Sequence, residues 1–155
     1  MSMQISADLA DDGAWRHESC PLNQAAAVVG SRASLLILRE AFYGTARFTD
    51  FVARTGLTDA IVSGRLKILH AHGVFERRIY QEPKRRARFE YVLTAAGEEL
   101  LPVVVALLQW GGAHLQHGAG PVALRSTSLG GAITTPVRAA RGANVASDDL
   151  LVVAR

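Results

Sequence analysis

Apolar residues recur at helical spacing in four consecutive blocks, and a glycine closes each block. Pro21 suits the first turn of a helix, so LNQAAAVV predicts a short helix ending at Gly30. Ser31 or Arg32 leads into ASLLILREAFYG, where Leu35, Leu36, Leu38, Ala41 and Phe42 share the period and Gly44 stops it. Thr49 is the expected cap of TDFVART, which ends at Gly56. Thr58 caps the next helix, which runs to about His72 with Gly73 as its stop. On that helix Val62, Leu66 and Leu69 share one face. The opposite face carries Ala60, Ser63, Gly64 and Lys67, so it is small, polar and singly cationic. Gly64 costs the helix about 1 kcal/mol relative to alanine.

The rhythm then changes to strands. VFERRIY and RFEYVLT predict an antiparallel pair around the turn QEPKRRA, where Pro83 disfavours a continuing strand. Arg77 and Arg78 fall on opposite faces of the first strand. Residues 46–48 form a further, very short strand in this reading. Thr94 is expected to cap the longest helix, AAGEELLPVVVALLQWGGAHLQH. Between Leu100 and Trp110 it is apolar on nearly every side, as no surface helix of a small domain should be. A second copy of the chain is the economical cover, with Leu22, Leu101, Val104, Leu108 and Trp110 at the dimer interface. Pro102 should bend this helix or disturb a turn. The predicted fold class is mostly α with a small β wing. Its expected organisation is an acidic flexible leader over residues 1–19, a winged helix-turn-helix over 20–117, and a Gly- and Ala-rich extension over 118–155 with short β-prone runs.

Charge sharpens the picture. The 155-residue chain carries only +3, yet Arg54 to Arg88 holds nine Lys/Arg against three acids. The remainder is therefore net negative. A positive block set on a helix and a hairpin tip is the electrostatic footprint of a duplex-DNA binder. The chain is 49% hydrophobic and 20% charged, which fits a folded globular protein. It has no apolar run of about 18 residues, and its acidic start lacks the pattern of a secretory signal. A single cysteine, Cys20, fits a reducing cytosol, so a cytoplasmic location is expected.

Helix 49–55, a three-residue connection and helix 59–72 make a helix-turn-helix whose second helix is the candidate for the major groove. The DNA-binding candidates are Thr58, Ala60, Ser63, Arg65 and Lys67 on that helix, and Arg77, Lys84, Arg85, Arg86 and Arg88 on the wing. Arg65 is divided between a phosphate clamp and an ion pair within the domain. Arg88 is divided between phosphate and a carboxylate such as Glu76 or Glu90. Cys20 precedes a helix N-terminus, where a thiolate is favoured, and is a candidate redox sensor as well as an ordinary packed thiol. Trp110 and the neighbouring Leu/Val run line either a dimer core or a pocket for a small apolar or electrophilic effector. His114 and His117 lack a third ligand, so no metal and no cofactor is expected. There is no Gly-rich phosphate loop, H-E-x-x-H or G-x-S-x-G, which speaks against an enzyme. The rival reading is a winged-helix module that binds a protein or a ligand without specific DNA recognition.

The Cys20-Pro21 start, LLILRE, Arg47-Phe48 and the block SGRLKIL at 63–69 resemble the HxlR-type winged helix-turn-helix regulators of bacteria. Gly73, the returning RFEY, the start LTAAG and Trp110-Gly111 extend the resemblance over residues 20–116. It implies a homodimeric, cytosolic transcription factor whose first and last helices pair and whose recognition helices read a palindrome. The chain departs from the pattern at Gly30-Ser31-Arg32-Ala33, where Gly-Lys-Trp is usual, and at Gly64, where a polar side chain is usual. Its wing turn is longer and more basic. Arg138 and Arg141 stand where longer members carry paired cysteines, so the resemblance implies no zinc here.

Overall fold

A computed structural model describes residues 2–10, 19–83, 86–118 and 120–153. The chain divides into two compact units, Ala25–Leu108 and a second made of Met1–Gln24 with Gln109–Arg155. In chain order the elements are β1 (Gln4–Ile5), α1 (Ala7–Ala10), α2 (Pro21–Val29), α3 (Arg32–Phe42), α4 (Phe48–Thr55) and α5 (Asp59–Ala71). β2 (Phe75–Tyr80), β3 (Arg88–Leu93), α6 (Ala95–Glu98), α7 (Leu101–His114) and β4 (Leu151–Val152) follow.

The unit Ala25–Leu108 is a winged helix-turn-helix, the predicted fold class. α3, α4 and α5 close around Ile37, Leu38, Phe51, Val62, Leu66 and Leu69, all essentially without solvent contact. The predicted face of α5, Val62, Leu66 and Leu69, is the buried one. On α3 the most buried apolar side chain is Ile37, which the periodic set above omits. Ser34 is buried beside it because its hydroxyl donates to the Val28 carbonyl at 3.2 Å and receives that of Ser31 at 2.9 Å.

Caps and stops are local, and most fall where expected. Ser31 caps α3 and Thr58 caps α5. Gly56, at φ 66°, supplies the left-handed residue that ends α4. The start of α4 differs from expectation: its N-cap is Arg47, not Thr49. Arg47 is held extended by a bridge to Glu90, and the Tyr91 amide donates to the Ala46 carbonyl at 2.8 Å. Pairing with β3 therefore fixes the point at which helical dihedrals begin. This is the short strand expected at 46–48, reduced to one bridge.

β2 and β3 pair antiparallel from Phe75↔Leu93 to Tyr80↔Arg88. The predicted long helix after Thr94 is two helices. Thr94 caps only α6, and the chain tightens through Glu99–Leu100 before α7 begins. Pro102 is the physical reason: it has no amide hydrogen to bond back into α6, so it settles in the first turn of α7. Thr94 also donates its hydroxyl to the Gly73 carbonyl and its amide to Val74, drawing α6 onto the α5–β2 junction. Gly97 lies so close that a Cβ there would overlap the Val74 carbonyl oxygen. Gly97→Ala is therefore expected to lower stability by about 2–3 kcal/mol, read as a reduced denaturation midpoint with an unchanged m-value.

In the other unit, β1 and β4 pair in parallel, Gln4↔Leu151 and Ile5↔Val152. Isolated bridges join Arg125 to Ala132 and Arg138 to Asn144. The Gln109 side chain donates to the Ile133 carbonyl and accepts from the Thr135 hydroxyl. No residue of this unit is buried among those whose exposure is described.

Candidate nucleic-acid interface

The outward side of α5 follows from its phase. With Val62, Leu66 and Leu69 inside, Thr58, Ala60, Ser63, Gly64 and Lys67 are exposed. A Cβ at Gly64 would meet nothing within 4 Å, so that glycine leaves a flat place on the helix. Thr58 spends its hydroxyl oxygen on the Ile61 amide at 3.4 Å, but its hydroxyl hydrogen remains free to donate outward. Arg65 lies half-exposed with no ion pair among the described residues. Ile61, 45% exposed, is an apolar member of this surface that the reading of one helix face missed.

The wing sorts its charges by strand alternation. Glu76 and Arg78 share a face, and Arg78 Nε donates to Glu76 Oε1 at 2.7 Å. Arg78 is thus consumed within the wing. Arg77, on the other face, stands 5.8 Å from the centroids of both Phe89 and Tyr91. Arg88 lies opposite Tyr80 and makes neither of the expected ion pairs with Glu76 or Glu90. Arg86 is exposed with no ion pair among the described residues, whereas Lys84 and Arg85 lie outside those residues. An open hollow of roughly 370 Å³ between the start of α4 and the wing is lined by Phe48, Thr49, Tyr80, Arg88, Phe89 and Tyr91.

Arg47 clips these parts together, a role the sequence reading did not assign to it. Its guanidinium donates to Glu82 Oε1 at 2.7 Å and sits 4.6 Å from the centre of the Tyr80 ring. Its backbone bridges Glu90. The residue that starts α4 therefore grips the wing at three places. A stack of edge-to-face rings gives a second connection, with Phe51 to Phe75 at 6.2 Å and Phe75 to Tyr91 at 6.4 Å.

The interface residues expected on α7 divide. Val104 is buried in the chain's own core, and Leu108 is partly buried against it. Leu101, Val103, Leu107 and Trp110 are the outward set, each 44% exposed or more, and Leu22 is 77% exposed. An apolar hollow of roughly 170 Å³, lined by Leu35, Leu36, Arg39, Val104, Leu107 and Leu108, opens between α3 and α7. Trp110 does not line it; its ring lies 5.5 Å from that of His114. Cys20 is half-buried, and its carbonyl accepts the Gln24 amide at 3.1 Å.

Comparison with known proteins points the same way. Residues 28–119 match the HxlR-like helix-turn-helix family. A protein of Mycobacterium tuberculosis (strain H37Rv), named as the uncharacterised HTH-type transcriptional regulator Rv3095, is 39% identical over 121 residues, 77% of this chain and 75% of its own. A similarly named regulator of Synechocystis is 34% identical over 99 residues, 63% of this chain and 72% of its own. The crystal structure of PA1607, described as a candidate transcription factor, superposes with a TM-score of 0.75 at 33% identity, over 90% of this chain and 97% of PA1607. The oxidised form of the redox regulator HypR superposes with a TM-score of 0.56 at 26% identity, over 61% of this chain and 97% of HypR.

Proposed function

The chain belongs to the HxlR-like helix-turn-helix family of transcriptional regulators, and from that premise we propose that it binds a palindromic operator as a homodimer. Each α5 enters the major groove of one half-site, and each wing lies on the flanking backbone and minor groove. The observation that carries this reading is the sorting of charge. Glu76 and Glu82 are held by Arg78 and Arg47, while Lys67, Arg65, Arg86 and Arg88 have no such partner among the described residues. Cations left uncompensated on one helix and one hairpin suit a partner that is itself a regular array of negative charge.

Roles follow from position. Ser63 and Lys67 reach base edges, and Ala60 and Gly64 let the helix approach closely. Thr58, Arg65, Arg77 and Arg88 take phosphates, as do Lys84, Arg85 and Arg86 of the wing loop. The second copy covers the outward apolar face of α7, because Val103, Leu107 and Trp110 share one side of that helix and form a surface that a monomer would leave wet. Half-site centres are then expected about 10 bp, or a multiple of that, apart. Two places suit a releasing signal: the Cys20 thiol, given that HypR is named a redox regulator, and the apolar hollow between α3 and α7.

Selection of duplexes from a random pool, followed by a gel shift with nonspecific competitor, tests the reading. A discrete shift that survives competitor and carries a palindrome supports it. A shift removed by any DNA would reduce it to generic charge, and no shift at all would favour an acidic protein or a ligand as the partner. Lys67→Ala is expected to cost about 1–3 kcal/mol on the selected duplex and to relax preference at one position per half-site. A variant with an unaltered sequence preference would remove Lys67 from the bases.

A further inference from the structure

The wing carries an apolar surface that charge alone does not explain. Phe75, Arg77 and Ile79 alternate onto one face of β2, and Leu93, Tyr91 and Phe89 lie opposite them on β3. At its base this face is core: Phe75 is 1% exposed and meets Phe51 of α4. Further out the same face runs past the helices into solvent, where the cross-strand pair Ile79 and Phe89 is 72% and 52% exposed. Phe89 and Tyr91 of this face share a hollow with Phe48 and Thr49 of α4, so the outer part of the face still borders the start of the helix-turn-helix.

No carboxylate stands on this face; Glu76 and Glu90 alternate onto the other one. Arg77 lies against Phe89 and Tyr91, so the surface is apolar with a cationic margin, while Arg88, opposite Tyr80, alternates onto the other face. That combination does not suit an acidic groove on a protein, which would leave the isoleucine and phenylalanine unmatched. It suits the minor groove of duplex DNA, whose deoxyribose walls and partly unstacked base steps are apolar and whose rims are phosphate.

We propose that Ile79 and Phe89 form a wedge that seats in the minor groove flanking each half-site, with Arg77 beside it on a phosphate rim. The proposal rests on the operator-binding reading above and adds to it a contact that is independent of salt. It also adds a source of sequence preference that involves no hydrogen bond. Pyrimidine–purine steps such as TA open most easily, so the wedge favours them where it sits.

The test uses the full-length protein and a duplex that the wild type selects from a random pool. Ile79→Ser/Phe89→Ser replaces only exposed side chains and is compared with Ile79→Leu/Phe89→Leu, which keeps apolar area. The serine variant is expected to bind about tenfold or more weakly at every salt concentration, with the wild-type salt slope. The leucine variant should bind within about twofold of wild type. Moving a TA step away from the flank should weaken the wild type and leave the serine variant unaffected. Equal binding of the serine variant and wild type would overturn the wedge and turn the pair toward a protein partner. A loss confined to low salt would also overturn it. Failure of the wild type to select any duplex would instead sink the operator reading, so the two failures are distinct.

Discussion

Converting both Arg86 and Arg88 to alanine is expected to weaken operator binding about a thousandfold at roughly 0.15 M salt. The effect is electrostatic. Each phosphate neutralised by a side chain releases condensed counterions, which contributes about 0.9 units of slope in log K against log salt. In the proposed dimer two arginines per wing make four such contacts, so the slope should become shallower by roughly 3–4 units. Neither arginine has an ion pair among the described residues, so their removal leaves no carboxylate stranded and folding should be unaffected. Nonspecific and specific affinity should fall together, because phosphate carries no sequence information. A titration over several salt concentrations decides the matter. An unaltered slope would mean that the wing does not touch DNA.

The second large effect concerns the fold. Phe75→Ala should destabilise the protein by about 3–5 kcal/mol, the usual cost of emptying a fully buried aromatic site. Phe75 is 1% exposed and is the middle ring between Phe51 and Tyr91. Its loss removes apolar burial and two edge-to-face contacts, each worth about 0.5–1.5 kcal/mol beyond that burial. For a unit of this size the midpoint of thermal unfolding should drop by about 15 °C or more. Calorimetry checks it, and a drop of only a few degrees would mean that the ring stack is loosely packed.

The parts legible in the sequence were those fixed by neighbours in the chain. Thr58, Gly56 and Gly73 mark the limits of α4 and α5 because caps and left-handed stops depend on a few adjacent residues. The buried face of α5 was legible because Val62, Leu66 and Leu69 are its clear apolar stripe. α7 was not, because a helix apolar all round has no phase. Nothing in its sequence distinguishes Val104, which faces the chain's core, from Val103, which faces outward. The N-cap at Arg47 was hidden for another reason: it is set by pairing with Glu90, more than forty residues away. The same holds for the grip of Arg47 on Glu82 and Tyr80 and for the separation of Arg88 from the wing acids. Such contacts depend on the register of one hairpin, which alternation suggests but does not fix.

The clip at Arg47 turns two recognition parts into a single lever. One guanidinium holds Tyr80 and Glu82 at the far end of β2 while its own backbone begins α4. A sideways force on the hairpin is therefore delivered to the root of the helix-turn-helix instead of dissipating in the loop. In the proposed complex, tilting the wing off a duplex would disturb the seating of α4, and through it α5. Release of the two grooves is then expected as one concerted event, with occupancy switching steeply between held and free.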